Sequence, residues 1–213
     1  MTITAKTAAV AAVIGLVAWA PVDAYAKKEA GDILVRLRGI AMIPDAGGGT
    51  IEFGGDADLD NDYVPELDFT YFFTENIAAE LILATTRHEV TVKGSSAGDL
   101  DLGHVSMLPP ILSLQWRFLP KEMFSPYVGA GLNYTFFYRE SDGGSITSIN
   151  YENSFGYALQ AGLDIGITDS WSLNIDVKKV FLDTDIVVNG GTINAPDTDL
   201  DPWVIGIGFG YRF

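Results

Sequence analysis

Cysteine is absent from the 213 residues, which excludes a disulfide framework and a thiolate metal site. Histidine occurs only at His88 and His104, and no Ser/His/Asp motif surrounds either. A nucleophile needs a base within hydrogen-bond reach, and the sequence offers no such pair, so both histidines read as exposed loop residues near outer strand ends. No enzymatic activity, catalytic residue or cofactor is expected. Basic residues are scarce: 13 Lys+Arg stand against 28 Asp+Glu, a net charge of −15. Phosphate contacts need a basic surface, so nucleic acid is excluded as a partner. The acidic run "DADLDND" (Asp56 to Asp62) has no glycine at its sixth position, and Leu67 rather than glutamate at its twelfth, so it reads as a solvated loop and no metal site is expected.

Long apolar runs are missing too. After residue 26 no uninterrupted stretch of 18 apolar residues occurs, so no membrane helix is expected. Residues 1–26 have the parts of an export signal. Lys6 gives a positive start, Ala8 to Ala20 is an apolar run ended by Pro21, and Ala24-Tyr25-Ala26 fits a cleavage site. The mature chain, residues 27–213, is expected to begin near Lys27. Losing Lys6 and Asp23 leaves its net charge at −15.

What the chain does contain is apolar residues, 48% of the total, with a mean hydropathy of +0.20 despite the charge. They alternate. In "DPWVIGIGFGYRF", Trp203, Ile205, Ile207, Phe209, Tyr211 and Phe213 share one face, while Val204, Gly206, Gly208, Gly210 and Arg212 share the other. A soluble sheet would carry polar groups on its second face. A face stripped to glycine suggests crowding inside a narrow closed sheet, with the apolar face turned to lipid. The same period of two recurs around Ile33, Leu67, Ile77, Leu112, Val128, Phe155 and Trp171. These eight segments suit strands of the roughly 9–11 residues that cross a bilayer when tilted. Thr74–Asn76, Leu119–Ser125 and Thr168–Ser170 read as short turns. Pro44–Asp62, Lys93–His104, Glu140–Glu152 and Asn189–Leu200 read as long loops. Aromatics Phe72, Phe73, Trp116, Phe118, Tyr127, Trp171, Tyr211 and Phe213 flank the short turns as an interfacial girdle would. The expected fold is all-β: an eight-stranded antiparallel transmembrane barrel with short periplasmic turns and four long extracellular loops.

The blocks "DFTYFFTENIAAELILAT", "LPPILSLQWRFLP", "PYVGAGLNYTFFY", "SFGYALQAGLDI" and "DLDPWVIGIGFGYRF", in that order, resemble the OmpW family of bacterial outer membrane proteins, to which the alkane-uptake protein AlkL belongs. The resemblance runs from about Gly31 to Phe213. It implies a barrel in the Gram-negative outer membrane and a narrow channel for small hydrophobic molecules. It also implies that Phe213 is part of the terminal signal read by the barrel-assembly machinery, and that lipid and lipopolysaccharide surround the barrel.

The second face carries five positive charges (Arg36, Arg38, Arg117, Lys178, Arg212) and five negative ones (Glu66, Asp68, Glu80, Asp164, Asp176). An eight-stranded barrel is just wide enough to be filled by side chains, so this near-neutral set is expected to pair as a plug toward the periplasmic half. The outer lumen is expected to be apolar, lined by Ile40, Met42, Ile82, Phe137, Val180, Leu182 and Val204, a surface suited to a small hydrophobic ligand. Lys178 departs from that lining. Pro109 and Pro110 cannot donate to a ladder and are expected to weaken the wall, giving such a ligand a sideways exit into the bilayer. The alternative is a non-transporting structural or adhesion-type barrel whose loops bind a partner.

Overall fold

Hydrocarbon offers a backbone no hydrogen-bond partner, so strands can face lipid only if the sheet closes on itself. The computed structural model describes residues 27–44, 56–59, 61–95, 98–142, 149–151, 153–188 and 193–213. The expected leader, residues 1–26, lies outside them. The strands are β1 (Ile33–Ile43), β2 (Asp56–Leu59), β3 (Asp62–Phe72), β4 (Ile77–Ala84), β5 (Thr86–Ser95), β6 (Gly98–Leu108), β7 (Ile111–Arg117), β8 (Phe124–Asp142), β9 (Ile149–Tyr151), β10 (Ser154–Gly166), β11 (Trp171–Val188), β12 (Ile193–Asp199) and β13 (Trp203–Arg212).

Eight of them form the ring. The antiparallel order β1-β3-β4-β7-β8-β10-β11-β13 returns to β1, with Leu34 opposite Arg212 and Ile43 opposite Trp203 at the closing seam. The sheet has no free edge at membrane depth, which removes the usual route to edge-to-edge aggregation. Leu37, Leu114, Leu132 and Phe209 point outward and stay more than half exposed, as a lipid-facing belt requires. Tyr63, Phe155, Tyr157 and Trp203 ring this belt at one end, and Phe73, Trp116, Phe118, Trp171 and Phe213 at the other.

The other five strands continue the sheet beyond the outer rim. β5 and β6 form a hairpin that pairs onto the upper part of β8, while β9 and β12 pair with the upper part of β11. β8 and β11 run for 19 and 18 residues, well past the bilayer. Lys93–His104 is therefore largely hairpin rather than loop, its first residues ending β5 and Gly98 onward beginning β6. His88 lies in β5 opposite Val105, and His104 in β6 opposite Glu89, so neither sits in a loop. Their side chains, like those of Asp56–Asp60, lie outside the described residues.

Arginine explains the bare inner face of β13. Gly208 lies opposite Arg38 and Gly210 opposite Arg36 in the closing register. A Cβ on Gly208 would collide with the carbonyl oxygen of Leu37 and stand 2.5 Å from the Cα of Arg38 and 2.8 Å from its Cγ, and one on Gly210 would stand 2.8 Å from the Cγ of Arg36. The backbone of β1 and the aliphatic stems of its two arginines fill the space that β13 leaves empty. At Gly39, on the lipid side, an added Cβ meets nothing within 4 Å. Gly208→Val should therefore cost about 3 kcal/mol or more and deplete the fast-migrating folded band in unheated gel electrophoresis, while Gly39→Val should keep it.

Candidate functional site

The lower lumen is a block of buried charge. Arg36 donates through Nε to Asp68 Oδ1 at 2.8 Å and through Nη2 to Thr70 Oγ1 at 2.8 Å, and its Nη1 lies 3.2 Å from Asp164 Oδ1. Its Nη2 also contacts Glu80. Arg38 reaches Glu66 at 2.6 Å, Asp68 at 2.9 Å, Glu80 at 3.3 Å and Asp176 at 3.7 Å. Arg117 pairs with Asp164 and lies over the rings of Phe72 and Tyr127, at 5.0 and 4.6 Å. Lys178 reaches Asp176 at 2.6 Å and Glu66 at 3.3 Å. Neutral side chains tie the block together. Gln160 donates to Glu80 at 2.7 Å, Tyr127 donates to Asp176 at 2.6 Å, and Asn174 bridges Arg38 and Asp164.

Two positions depart from the expected network. Arg212 is the last residue of β13, at the periplasmic rim, where it pairs with Asp32 at 2.9 Å and donates to the carbonyl of Asp169. Its alternation phase is inward, but the wall ends there and the long side chain turns along the rim. The fifth cation is Lys28, from the segment preceding β1. It is 2% exposed, its backbone N–H donates to Pro120 O, and its Nζ lies 3.8 Å from Asp164. Lys28, Arg36, Arg38, Arg117 and Lys178 thus balance Glu66, Asp68, Glu80, Asp164 and Asp176, all 3% exposed or less. Phe72 and Tyr127 belong to this block and not to the girdle, since both are fully enclosed. Their phase, shared with Thr70 and Gly129, already pointed inward.

Above the block the lumen changes character. Ile40, Met42, Ile82, Val180, Leu182 and Val204 form one buried apolar cluster, with Phe137 packed against it. They surround a cavity of about 40 Å³, room for the end of an alkyl chain and its terminal group. Met107, Ile111 and Leu200 also line it. Met107 and Ile111 continue one inward phase through Pro109, a signal available in the sequence. Leu200, taken as loop, folds back over the cavity because its N–H donates to the carbonyl of Leu182 at 3.0 Å. Lys178 and Glu66 form the cavity floor, where the apolar cluster meets the charges.

Pro109 and Pro110 separate β6 from β7. Pairing between β4 and β7 reaches Ile82 opposite Ile111, and pairing between β5 and β6 resumes at Thr86 opposite Met107. The same number of residues lies between on each strand, so the double proline makes no bulge. It leaves a gap in the ladder beside Ala84, which lines the cavity together with Pro109. On the β8 side Pro110 O accepts from Tyr134 N and from Asn133 Nδ2, both at 3.2 Å. Outside, Thr85 Oγ1 and Tyr138 OH share a hydrogen bond across β6.

A closed eight-stranded sheet with a lipid-facing belt, two aromatic girdles and its charges buried inside defines an outer-membrane β-barrel. The profile of the OmpW family matches residues 29–213, and the chain belongs to that family. Outer membrane protein W of Escherichia coli (strain K12) is 36% identical over 196 residues, covering 87% of this chain and 90% of that protein. The crystal structure of outer membrane protein OprG from Pseudomonas aeruginosa superposes with a TM-score of 0.81 at 30% identity, covering 89% of this chain and 99% of that one. The solid-state NMR structure of outer membrane protein AlkL in lipid bilayers gives 0.66 at 27% identity, covering 87% and 91%. The protein resides in the bacterial outer membrane.

Burial lowers the pKa of Lys28 to about 8 from 10.5, against the opposing pull of Asp164. The folded state therefore holds this proton more weakly than the unfolded chain. Below pH 8 the buried charge costs on the order of 3 kcal/mol, a cost relieved as pH rises from about 8 to 10.5. The difference in unfolding free energy between the native protein and Lys28→Met should accordingly shift in favour of the native protein over that window, measured by urea titration at fixed pH steps.

Proposed function

We propose that this barrel conducts small hydrophobic molecules from the cell exterior, past the lipopolysaccharide layer, into the outer membrane. The observation that carries the reading is the division of one lumen into an apolar upper cavity and a charge-balanced block below it. An apolar cavity favours ligands that leave water. The block fills the lower lumen with paired charge, so an apolar solute has no favourable path through it to the periplasm. The wall beside the cavity is weakest at Pro109 and Pro110, where ladder hydrogen bonds are missing. Release there delivers the molecule sideways into lipid, its preferred solvent. Likeness to AlkL and the other family members supports the same reading. Phe213, exposed and tied by its N–H to the carbonyl of Ile33 at 2.9 Å, serves in this account as the signal for the barrel-assembly machinery.

Ile82→Arg places an unpaired charge inside the cavity. In cells lacking the native gene, uptake of labelled n-octane should rise with the native protein and fall to the empty-vector rate with this variant, provided both show the folded band. Native uptake no faster than empty vector would favour a structural or adhesion-type barrel.

A further inference from the structure

We infer that the ligand best matched to this cavity is an apolar molecule with one uncharged hydrogen-bonding end, such as a medium-chain alcohol, and that Lys178 reads that end. The inference rests on the conduit reading above and narrows its substrate class. A cavity built only for hydrocarbon would end on apolar side chains. This one counts Lys178 and Glu66 among its lining residues, each nearly enclosed, so a charged pair lies directly under the apolar wall.

An ammonium carries three N–H donors and no acceptor. Glu66 receives one in a forked contact, its two oxygens lying 3.3 and 3.4 Å from Nζ. Asp176 Oδ1 stands 2.6 Å from Nζ as an ion-pair contact without hydrogen-bond geometry. Among the described residues no further acceptor for Nζ is recorded, and the side chain borders the cavity. A donor is left for a ligand oxygen. The other polar side chains in the wall each donate within it: Asn133 Nδ2 to Pro110 O, and Thr135 Oγ1 to Asn133 Oδ1 at 2.9 Å.

Charge balance selects the kind of oxygen. The five cations beneath and beside the cavity already match five carboxylates, so a ligand carboxylate would add an unbalanced negative charge in a dry site, an expensive addition. A hydroxyl or carbonyl oxygen accepts from Lys178 without upsetting that balance. One hydrogen bond from a charged donor is worth about tenfold in affinity.

The test uses the full barrel in lipid nanodiscs, with n-octane, 1-octanol and octanoate compared at equal mole fraction in the lipid. Methyl resonances of Ile82 and Val204 report cavity occupancy, and the side-chain nitrogen resonance of Lys178 reports the polar contact. Both octane and octanol should perturb the methyls, octanol at about tenfold lower mole fraction and alone in shifting Lys178. Octanoate should bind more weakly than octanol. The double variant Lys178→Met with Glu66→Gln keeps the charges balanced and should bring the two midpoints together. Equal midpoints in the native protein, or a Lys178 resonance unmoved by octanol, would overturn the inference while leaving the conduit standing. Methyls unmoved by either compound would overturn the conduit reading itself. The native-protein resonances decide the question even if the double variant does not fold.

Discussion

Charge taken out of water must find charge of the other sign, and in this barrel it must do so within a lumen one side chain wide. That constraint organises the molecule. Arg36 and Arg38 project from one strand into the centre, and each needs several carboxylates to offset its lost hydration. Asp68, Glu80 and Asp164 answer from three other strands, so the block clamps sequence-distant parts of the wall. Removing one partner from such a set leaves an uncompensated charge, which is strongly destabilising even where the intact pair adds little net stability. The glycines of β13 follow from the same constraint, because two arginines cannot occupy the axis unless the neighbouring strand gives up its side chains.

Filling the lower lumen this way has a consequence for the upper lumen. The block packs the lower lumen with paired side chains, and it sets Lys178 and Glu66 beneath the cavity. What remains above is an apolar chamber with a wall of β-strands. A wall fully paired by ladder bonds would make that chamber a dead end. The double proline prevents full pairing at the height of the chamber, while Asn133 inside and the Thr85–Tyr138 contact outside hold the weakened segment in place. Position relative to the membrane completes the account, since β5, β6, β8 and β11 extend the barrel outward beyond the lipid.

Alternation carried most of the fold. A period of two identified the eight crossing strands and assigned each side chain to lipid or lumen, because register errors of one residue would exchange the two faces. The apolar lining from Ile40 to Val204 and nine of the ten proposed lumen charges could be named from phase alone. Phase does not report height, so Arg212 was grouped with charges it sits below. Lys28 lies outside any alternating segment and carried no sequence signal. Aromatic character marks Phe72 and Tyr127 as girdle residues, although their phase puts them inside. Gly and Asp content marks the outer connections as loops, yet β2, β6, β9 and β12 occupy part of them.

If molecules leave through the wall beside Ala84 and Pro109, as proposed, a reversible lock across that seam should stop them. These residues face each other in the register that continues on both sides, and directly opposed positions in an antiparallel pair stand about 4.5–5.5 Å apart, within reach of a disulfide. The chain has no cysteine of its own, so Ala84→Cys with Pro109→Cys introduces a single pair. With the disulfide formed and verified, octane uptake should drop to the empty-vector rate, and reduction should restore it. Uptake that proceeds unchanged with the seam locked would contradict lateral exit and place the route elsewhere in the barrel.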